Sequence, residues 1–594
     1  MRWTAWIVGA LVLLLCVWGW SGGARRADVR VASADVFTLD PQRMTYMQDL
    51  RVARALFEGL CCSDPDTGDV VEGVAKSWTV SSDGRCYTFH LRPDARWSNG
   101  DPLTAQDFKE AWRRLLLPDL AADYSELLFP VAGARAFFAW RAAQLSAYAN
   151  GDLHSAQAAE DAWREAIARF DSTVGIEAPD AHTLVVRLEQ PVPYWLDICG
   201  FQSLSPIHRP TLERFSRIDP ETGMLRTEPG WTKPGVLVCN GAMQLADWKY
   251  KRSMLLEPNP MYRGAHPAQA RSVEILPIED ASTAVLAYES GSIDWVSDLT
   301  AEFRAELVNS GRRDVHVLPA FGTDFWSFNC RPTMPDGRPN PFADARVRRA
   351  FARAVNKDAL VQSVTRLREP VAATLVPPGS IDGYESPAGL SFDLAAARAE
   401  LAAAGWKDRN ADGLVENAAG EVFPPVEMLF MTGNPRVRGI AGALAAMWRD
   451  GLGVQCDVRS KDGKFAKEDL RAGNFMIARG GWYGDYLDPT TFLDLSRTGN
   501  GNNDRGFSDA RFDALLADAE RTTDPAQRMR LLADAERLIV EEQMPILPLC
   551  RYVTLYMYDP DRLQGIVRTP RLDQRLQRLR MSGSASSPGE DAAP

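Results

Sequence analysis

Histidine is scarce in this sequence, and the common short catalytic motifs are missing. The 594 residues include six histidines, and no two of these stand in an HxxxH or HExxH spacing. Beyond the first 27 residues there is no GxSxG elbow, and the whole chain lacks a GKS/T phosphate loop and a GxGxxG after a strand. Triads can assemble from distant positions, so a hydrolase stays open as an alternative. The sequence nevertheless favours a protein that is not an enzyme.

Excess positive charge and cysteine motifs are missing as well. The net charge is −11, whereas phosphate binding needs a basic surface, so no nucleic-acid partner is expected. None of the nine cysteines forms the CxxC pattern of redox and zinc sites. An exported chain could form disulfides, but the wide spacings favour buried free thiols, and the pairing stays open. No metal and no other cofactor is predicted.

The one long apolar run lies at the N-terminus. Arg2 precedes the run Trp3–Trp20, and the small residues Ser21–Ala24 follow it. This order is typical of an export signal, and residues 1–27 are assigned to a signal or membrane anchor. The run is near the lower limit of about 17 residues for a spanning helix. Cys16 could be lipidated, although no small residue precedes it, so anchoring, lipidation and cleavage all stay open.

Strand-like and helix-like patterns alternate through the rest of the chain. Period-two patterns predict strands at Val29–Ala32, Tyr87–Leu91 and Thr183–Leu188. Helical spacing of apolar residues predicts helices at Gln48–Leu60, Asp344–Val364, Leu394–Ala404 and Ala526–Glu542. The proline-free stretch 134–170 reads as a helical hairpin inserted on the surface, and 582–594 as a disordered tail. The alternation predicts α/β lobes with mixed sheets.

The segment Asp408–Gly413 imitates the start of a calcium loop, with oxygen ligands at alternate positions and a turn glycine. A calcium loop ends with a bidentate Glu at its twelfth position, where this chain has Ala419. We therefore interpret the segment as an Asx-rich turn without functional calcium affinity.

The segment Arg479–Leu493 combines a cation, an anion, glycines and aromatic residues within a few positions. Glycines let another backbone approach, and the aromatic side chains can form walls. Such a segment suits a site for a short zwitterion, although a salt-bridged loop would have the same composition.

The segment resembles the peptide-binding branch of family 5 of the extracytoplasmic solute-binding proteins, the oligopeptide- and dipeptide-binding proteins of ABC importers. The resemblance runs in order through nearly the whole chain after the N-terminal run. It is carried by Thr38–Pro41, Leu56–Leu60, Val74–Trp78, Tyr87–Gly100, Leu103–Phe108, Pro191–Tyr194, Asn240–Ala242, Ala343–Ala350 and Val376–Gly379. The stretch 134–170 is longer than the family's usual connection.

The resemblance implies a clamp of the type II periplasmic-binding-protein fold, with two α/β lobes and a third domain. Lobe I is expected from residues 28–57, 187–321 and 554–581, domain II from 58–186 and lobe III from 322–553. The chain is expected to be an extracytoplasmic monomer, tethered to the cytoplasmic membrane, that delivers peptides to ABC permease subunits.

The resemblance also implies the ligand-binding residues. Asp485 matches the carboxylate that receives the α-ammonium group of a peptide, and Arg479 matches a cation that can meet its carboxylate end. Gly481 and Tyr483 match backbone that pairs with the ligand, and Trp482 matches a wall. The remaining expected residues, from the opposite lobe and the hinge-side loop, are Tyr124, Met47 and Asn240.

Two departures from the family's pattern concern the site. Gly463 stands where oligopeptide-type members often have a tryptophan, so a side-chain pocket is expected to differ. Gly322 and Tyr483 stand where some members have a disulfide, so this chain lacks that bridge. The alternative ligands for the same fold are a nickel chelate, an oligosaccharide or an opine-like conjugate. Asp485 favours peptides over these alternatives, because the alternative ligands carry no α-ammonium group.

Overall fold

The structure is a computed structural model that describes residues 26–151, 154–297, 299, 301–522, 524–571 and 574–583. Most of the N-terminal segment 1–27, including Cys16, and nearly all of the tail 582–594 lie outside the described residues. Within the described ranges, no helix has both the length and the apolar character needed to cross a bilayer.

Twenty strands are described. In chain order they are β1 (Val29–Ser33), β2 (Cys61–Ser63), β3 (Val70–Glu72), β4 (Ala75–Val80), β5 (Cys86–Leu91), β6 (Ile176–Asp180), β7 (Thr183–Arg187), β8 (Ser216–Ile218), β9 (Leu225–Thr227), β10 (Met243–Lys249), β11 (Ser253–Pro258), β12 (Val273–Pro277), β13 (Trp295–Val296), β14 (Val315–Phe328), β15 (Val426–Met431), β16 (Cys456–Lys461), β17 (Ile477–Tyr483), β18 (Ile546–Tyr558), β19 (Leu563–Gln564) and β20 (Arg580–Met581). The three strands predicted from period-two patterns are confirmed as β1, β5 and β7.

Sixteen α-helices lie among these strands in the described residues. In chain order they are α1 (Met47–Leu56), α2 (Ala105–Leu116), α3 (Ala134–Ala149), α4 (Ala156–Thr173), α5 (Trp195–Cys199), α6 (Arg209–Arg214), α7 (Ala281–Glu289), α8 (Ala301–Asn309), α9 (Ala345–Arg353), α10 (Lys357–Leu360), α11 (Leu394–Ala403), α12 (Pro435–Leu452), α13 (Gly463–Ala472), α14 (Thr490–Leu493), α15 (Ala510–Arg521) and α16 (Pro525–Arg537). The mixed α/β character predicted from the alternation is confirmed.

One large mixed sheet organises most of the chain. Its ten strands follow the order β10-β11-β12-β1-β13-β18-β14-β17-β15-β16. The β1–β12 and β15–β16 pairs are parallel, whereas β14 pairs antiparallel with both β17 and β18. The long strands β14 and β18 connect the half of the sheet that contains β1 to the half that contains β17. A separate antiparallel sheet has the order β4-β5-β7-β6.

The apolar cores follow these sheets. One core packs around the four-stranded sheet and includes Phe89, Trp112 and Trp195. A second lies beside β1, β10 and β12, and further cores cover the faces of β14 and β17, one of them around Trp448 and another around Phe492. The burial of large aromatic side chains in several separate cores is what a chain of this length requires.

The single helix predicted over Asp344–Val364 is wrong. The chain forms α9 and α10 and then a π-helical turn at Val361–Thr365. The break occurs because the Asn356 side chain accepts a hydrogen bond from the Ala359 N–H at 2.9 Å and so caps a new helix. The apolar spacing of the sequence does not reveal this local competition.

The stretch 134–170 forms α3 and most of α4. A buried ion pair anchors this hairpin, because Arg141 Nη2 lies 2.7 Å from Asp119 Oδ1 with both side chains at most 1% exposed. The same nitrogen also donates to the Gly223 carbonyl at 2.8 Å. The hairpin is therefore fixed to the body of the protein by charge as well as by packing.

Candidate ligand-binding site

Strand β17 has one paired edge and one edge that is largely free. Along the first edge it pairs with β14 from Ile477 to Tyr483, with Gly322 directly opposite Tyr483. Along the second edge β15 pairs only with Ile477 and Ala478. For Arg479–Tyr483, therefore, no strand in the described part of the chain occupies the second edge. Such an edge offers backbone N–H and C=O groups to an incoming extended segment.

Two glycines in this strand are required by aromatic packing on its two faces. A Cβ atom at Gly480 would collide with the ring of Phe325, and one at Gly481 would collide with the hydroxyl of Tyr552. The ring of Tyr552 also stacks on the half-exposed ring of Tyr483, with centroids 4.5 Å apart. The absence of side chains at the two glycines thus lets the rings of Phe325 and Tyr552 pack directly on the backbone of the strand, while its free edge stays open.

Arg479 belongs to a network of charges at the start of this edge. Its Nη2 donates to the Tyr552 hydroxyl at 2.7 Å, and its Nε lies 3.4 Å from Asp324 Oδ1. Asp324 is fully buried and also pairs with Arg436 at 2.5 Å, which in turn reaches Glu369 at 2.6 Å. Burial lowers the pKa of Arg479, whereas the charge of the nearby Asp324 carboxylate raises it. The result is a pKa above the ordinary value.

The sequence did not reveal the partners of Arg479. Asp324 lies on β14, Tyr552 on β18, and Arg436 near the start of α12. Only the pairing of β14 with β17 and β18 brings these residues together, and no local motif marks them.

Asp485 follows β17 and carries a half-buried carboxylate. Its backbone N–H donates to Thr491 Oγ1 at 3.1 Å, and the same oxygen accepts from Trp482 Nε1 at 3.3 Å. Among the described residues, no donor or cation contacts the carboxylate. Burial raises the pKa of Asp485 to about 6. A carboxylate in this setting gains from a cationic partner.

Tyr124 is the predicted residue that the structure brings towards Asp485 from a distant part of the chain. Burial raises the pKa of Tyr124 to about 12, and the negative charge of Asp485 contributes to this increase. The Tyr124 ring packs edge-on against Phe201, with centroids 4.7 Å apart. An acid, a phenol and the free strand edge therefore meet in one region.

Met47 and Asn240 are placed differently. Met47 begins α1 and is 48% exposed, and no described contact joins it to Asp485. Asn240 is buried, and its side-chain amide is used by the protein itself. It accepts from the Glu58 N–H at 3.2 Å and donates to the Glu58 carbonyl at 2.9 Å. Asn240 therefore fixes the chain after α1.

The acidic turn at Asp408–Gly413 uses its oxygens locally. Asp408 accepts from the backbone N–H groups of Ala411 at 2.7 Å and Gly413 at 3.1 Å. Glu416 accepts from the Arg409 N–H at 2.8 Å. Within the ranges that the structure describes, no cluster of His, Cys, Asp and Glu could hold a metal ion. The lack of calcium affinity stays a prediction.

None of the cysteines in the described ranges forms a disulfide. Gly322 and Tyr483, where the resemblance implies that this chain lacks a bridge, face each other directly across the β14–β17 ladder.

The chain is similar in sequence to one protein family and to known periplasmic proteins. The family described as bacterial extracellular solute-binding proteins, family 5 (middle), matches residues 69–504. The periplasmic oligopeptide-binding protein OppA of Salmonella typhimurium is 29% identical over 91% of this chain and 90% of its own length. The probable deoxycholate-binding periplasmic protein YgiS of Escherichia coli is 30% identical over 87% of this chain and 86% of its own length.

The fold is similar to that of a solved periplasmic protein. The unliganded open form of MppA, a periplasmic murein tripeptide-binding protein, superimposes with a TM-score of 0.74 and 26% sequence identity. The match covers 94% of this chain and 98% of that protein. The expected clamp of the type II periplasmic-binding-protein class is confirmed by this likeness.

Proposed function

Because this chain belongs to family 5 of the bacterial extracellular solute-binding proteins, we propose that it captures peptides for an ABC importer. One observation carries the proposal. The half-buried carboxylate of Asp485 has no cationic partner among the described residues, and it stands just beyond the free edge of β17. A peptide with a free N-terminus supplies an ammonium group for the acid and a backbone for the edge.

In the proposed complex the peptide lies as an added strand beside Arg479–Tyr483. Its α-ammonium group pairs with Asp485, while Gly481 and Tyr483 pair with its backbone. Trp482 and Tyr483 flank its side chains on opposite faces of the strand, because successive residues of a strand alternate in direction. Arg479 meets the carboxylate end of a short peptide. Since backbone groups supply most contacts, the side chains of the ligand are read weakly.

The remaining proposed contacts come from the opposite side of a cleft. Tyr124 and Met47 line that side, and Asn240 holds the hinge-side loop. We assign lobe I to 28–57, 187–321 and 554–581, domain II to 58–186, and lobe III to 322–553. The apolar core around Trp112 supports domain II but also takes in Trp195 and Trp231 from the stretch that follows it, while the cores beside β1 and around Trp448 support lobes I and III.

The protein works outside the cytoplasm, without catalytic activity, and as a monomer. The names of the relatives place those proteins in the periplasm. The apolar run Trp3–Trp20 supports export and attachment to the cytoplasmic membrane. The partners are then the peptide, the ABC permease subunits and the membrane.

A second candidate function is capture of a non-peptide solute, and the relative named for deoxycholate favours it. Deoxycholate carries a carboxylate and no ammonium group, so Asp485 would repel it. Nickel chelates, oligosaccharides and opine-like conjugates are the other alternative ligands for this fold. Asp485 therefore favours peptides over these other ligands.

Native mass spectrometry of protein purified from its own cells tests the proposal. We expect a ladder of co-purified masses that tandem fragmentation identifies as peptides. Calorimetry should then show binding of trialanine that deoxycholate does not displace. A bound sterol acid, or a single non-peptide mass, would overturn the proposal.

A further inference from the structure

The short helix α5 holds the segment that follows the candidate site. Asp197 on this helix accepts a hydrogen bond from the backbone N–H of Leu487 at 2.8 Å. Three residues earlier in the chain than Asp197, the ring of Tyr194 stacks on that of Tyr486, with centroids 4.2 Å apart and planes 4° apart. Both contacts fall on the two residues that follow Asp485.

The far end of the same segment is also held. Thr491 receives the Asp485 N–H and the Trp482 indole N–H, and Thr490 donates to Asp488 at 2.7 Å. Asp488 in turn forms a buried ion pair with Arg528 at 2.5 Å. The segment 485–491 therefore has two anchors, one at α16 and one at α5.

Asp197 is itself held in place. Its other carboxylate oxygen lies 2.8 Å from Arg571 Nη1, and its side chain is 6% exposed. Arg571 also donates to Ser63 Oγ at 3.2 Å. The carboxylate thus links α5 to Leu487 and to Arg571, and Arg571 in turn reaches Ser63.

We infer that Asp197 is a positioning residue for the ammonium site. It holds the backbone at Leu487 and thereby the direction of the Asp485 carboxylate two residues earlier. The inference rests on the proposed function, in which Asp485 pairs with the peptide's ammonium group. Geometry of this kind matters because a charged hydrogen bond weakens steeply when its donor and acceptor are misaligned.

The experiment compares two ligands, trialanine and N-acetyl-trialanine, on each variant by calorimetry. The ratio of their dissociation constants measures how strongly the site recognises a free ammonium group. Wild type is expected to prefer the free peptide by at least about 30-fold, the effect of losing about 2 kcal/mol. Asp197→Ala is expected to lower this ratio at least tenfold while changing the affinity for the acetylated peptide less than threefold.

Two further variants sharpen the result. Asp197→Asn keeps an oxygen that can accept from the Leu487 N–H, so it should retain the ratio to within threefold. Asp518→Ala, which alters an exposed carboxylate on α15 paired with Arg521, is the control and should change nothing. If Asp197→Ala does not fold, Asp197→Ser takes its place in the test. The serine side chain is one bond shorter than that of aspartate, so its hydroxyl is not expected to reach the Leu487 N–H.

The outcomes separate the two claims. Equal weakening of both peptides by Asp197→Ala would show a general structural role and overturn the inference. An unchanged ratio would overturn it as well. If the wild type binds both peptides equally well, Asp485 does not pair with the ammonium group. That result would contradict the proposed pairing and, with it, the inference about Asp197.

Discussion

The ring of Tyr194 lies flat against the ring of Tyr486, with planes only 4° apart. Tyr194 precedes α5, which packs in the core of the four-stranded sheet, whereas Tyr486 follows β17. The stack and the neighbouring Asp197–Leu487 hydrogen bond therefore join two regions with separate cores at one border of the candidate site. Any rotation between these regions has to pivot about this contact or break it.

The first prediction concerns that rotation. Because the proposed peptide site is contacted from both sides of a cleft, ligand should favour a closed arrangement. Small-angle scattering should show a smaller radius of gyration with trialanine than without it. Asp485→Ala at the same peptide concentration serves as the control and should not contract. An unchanged radius for wild type, with binding verified by calorimetry, would contradict closure.

A second prediction concerns the charge pair at Asp485. Removing one partner of a buried pair typically costs about 2–5 kcal/mol, or roughly 30- to several-thousand-fold in affinity. Asp485→Ala should weaken binding of trialanine by this range, and N-acetylation should do the same to wild type. Together the two changes should cost much less than their sum, since each removes the same interaction. Full additivity would assign Asp485 another role.

The pH dependence of binding is the third prediction. Burial raises the pKa of Asp485 to about 6 in the unliganded protein, so below that pH the ammonium group meets a neutral acid. Affinity should therefore fall as pH decreases through about 6, by up to tenfold per pH unit. It should also fall above about pH 8, where the peptide amine loses its proton.

Calorimetry from about pH 4.5 to about pH 9 measures this profile. Asp485→Asn should abolish the acidic limb and keep the alkaline one, because only the peptide then titrates. If the affinity of this variant still falls at low pH, a group other than Asp485 is responsible for that fall.

The fourth prediction concerns stability. Arg141 is fully buried against Asp119, and a lone buried charge is costly. Arg141→Met should destabilise the protein by about 3–5 kcal/mol, seen as a lower melting temperature in calorimetry. Arg164→Met is the matched control on the neighbouring helix α4, because its pair with Asp161 is exposed. Equal melting temperatures of the two variants would show that the buried pair does not anchor the hairpin.

The fifth prediction concerns attachment to the membrane through Trp3–Trp20. The full-length chain should fractionate with membranes, since an apolar run of this length stays in a bilayer unless it is cleaved. In Cys16→Ala, release from the membrane would indicate lipidation and retention a helical anchor. Cytoplasmic recovery of the intact wild-type chain would contradict export.

Local patterns predicted the strands well and one helix poorly. The alternation at Tyr87–Leu91 and Thr183–Leu188 reflects one buried face, which a strand must have, so β5 and β7 follow directly. The pattern over Asp344–Val364 reflects a buried face too, but it cannot show that Asn356 caps a new helix.

The sequence by itself determined the family, because many short motifs occur in the family's order, and it singled out the segment that contains Arg479 and Asp485. Only the tertiary structure decided which groups surround them. The ion partner Asp324 and the positioning residue Asp197 are far away in the chain, and long-range strand pairing and helix packing bring them near. The free edge of β17 likewise depends on where β15 stops pairing, which no local pattern of residues encodes.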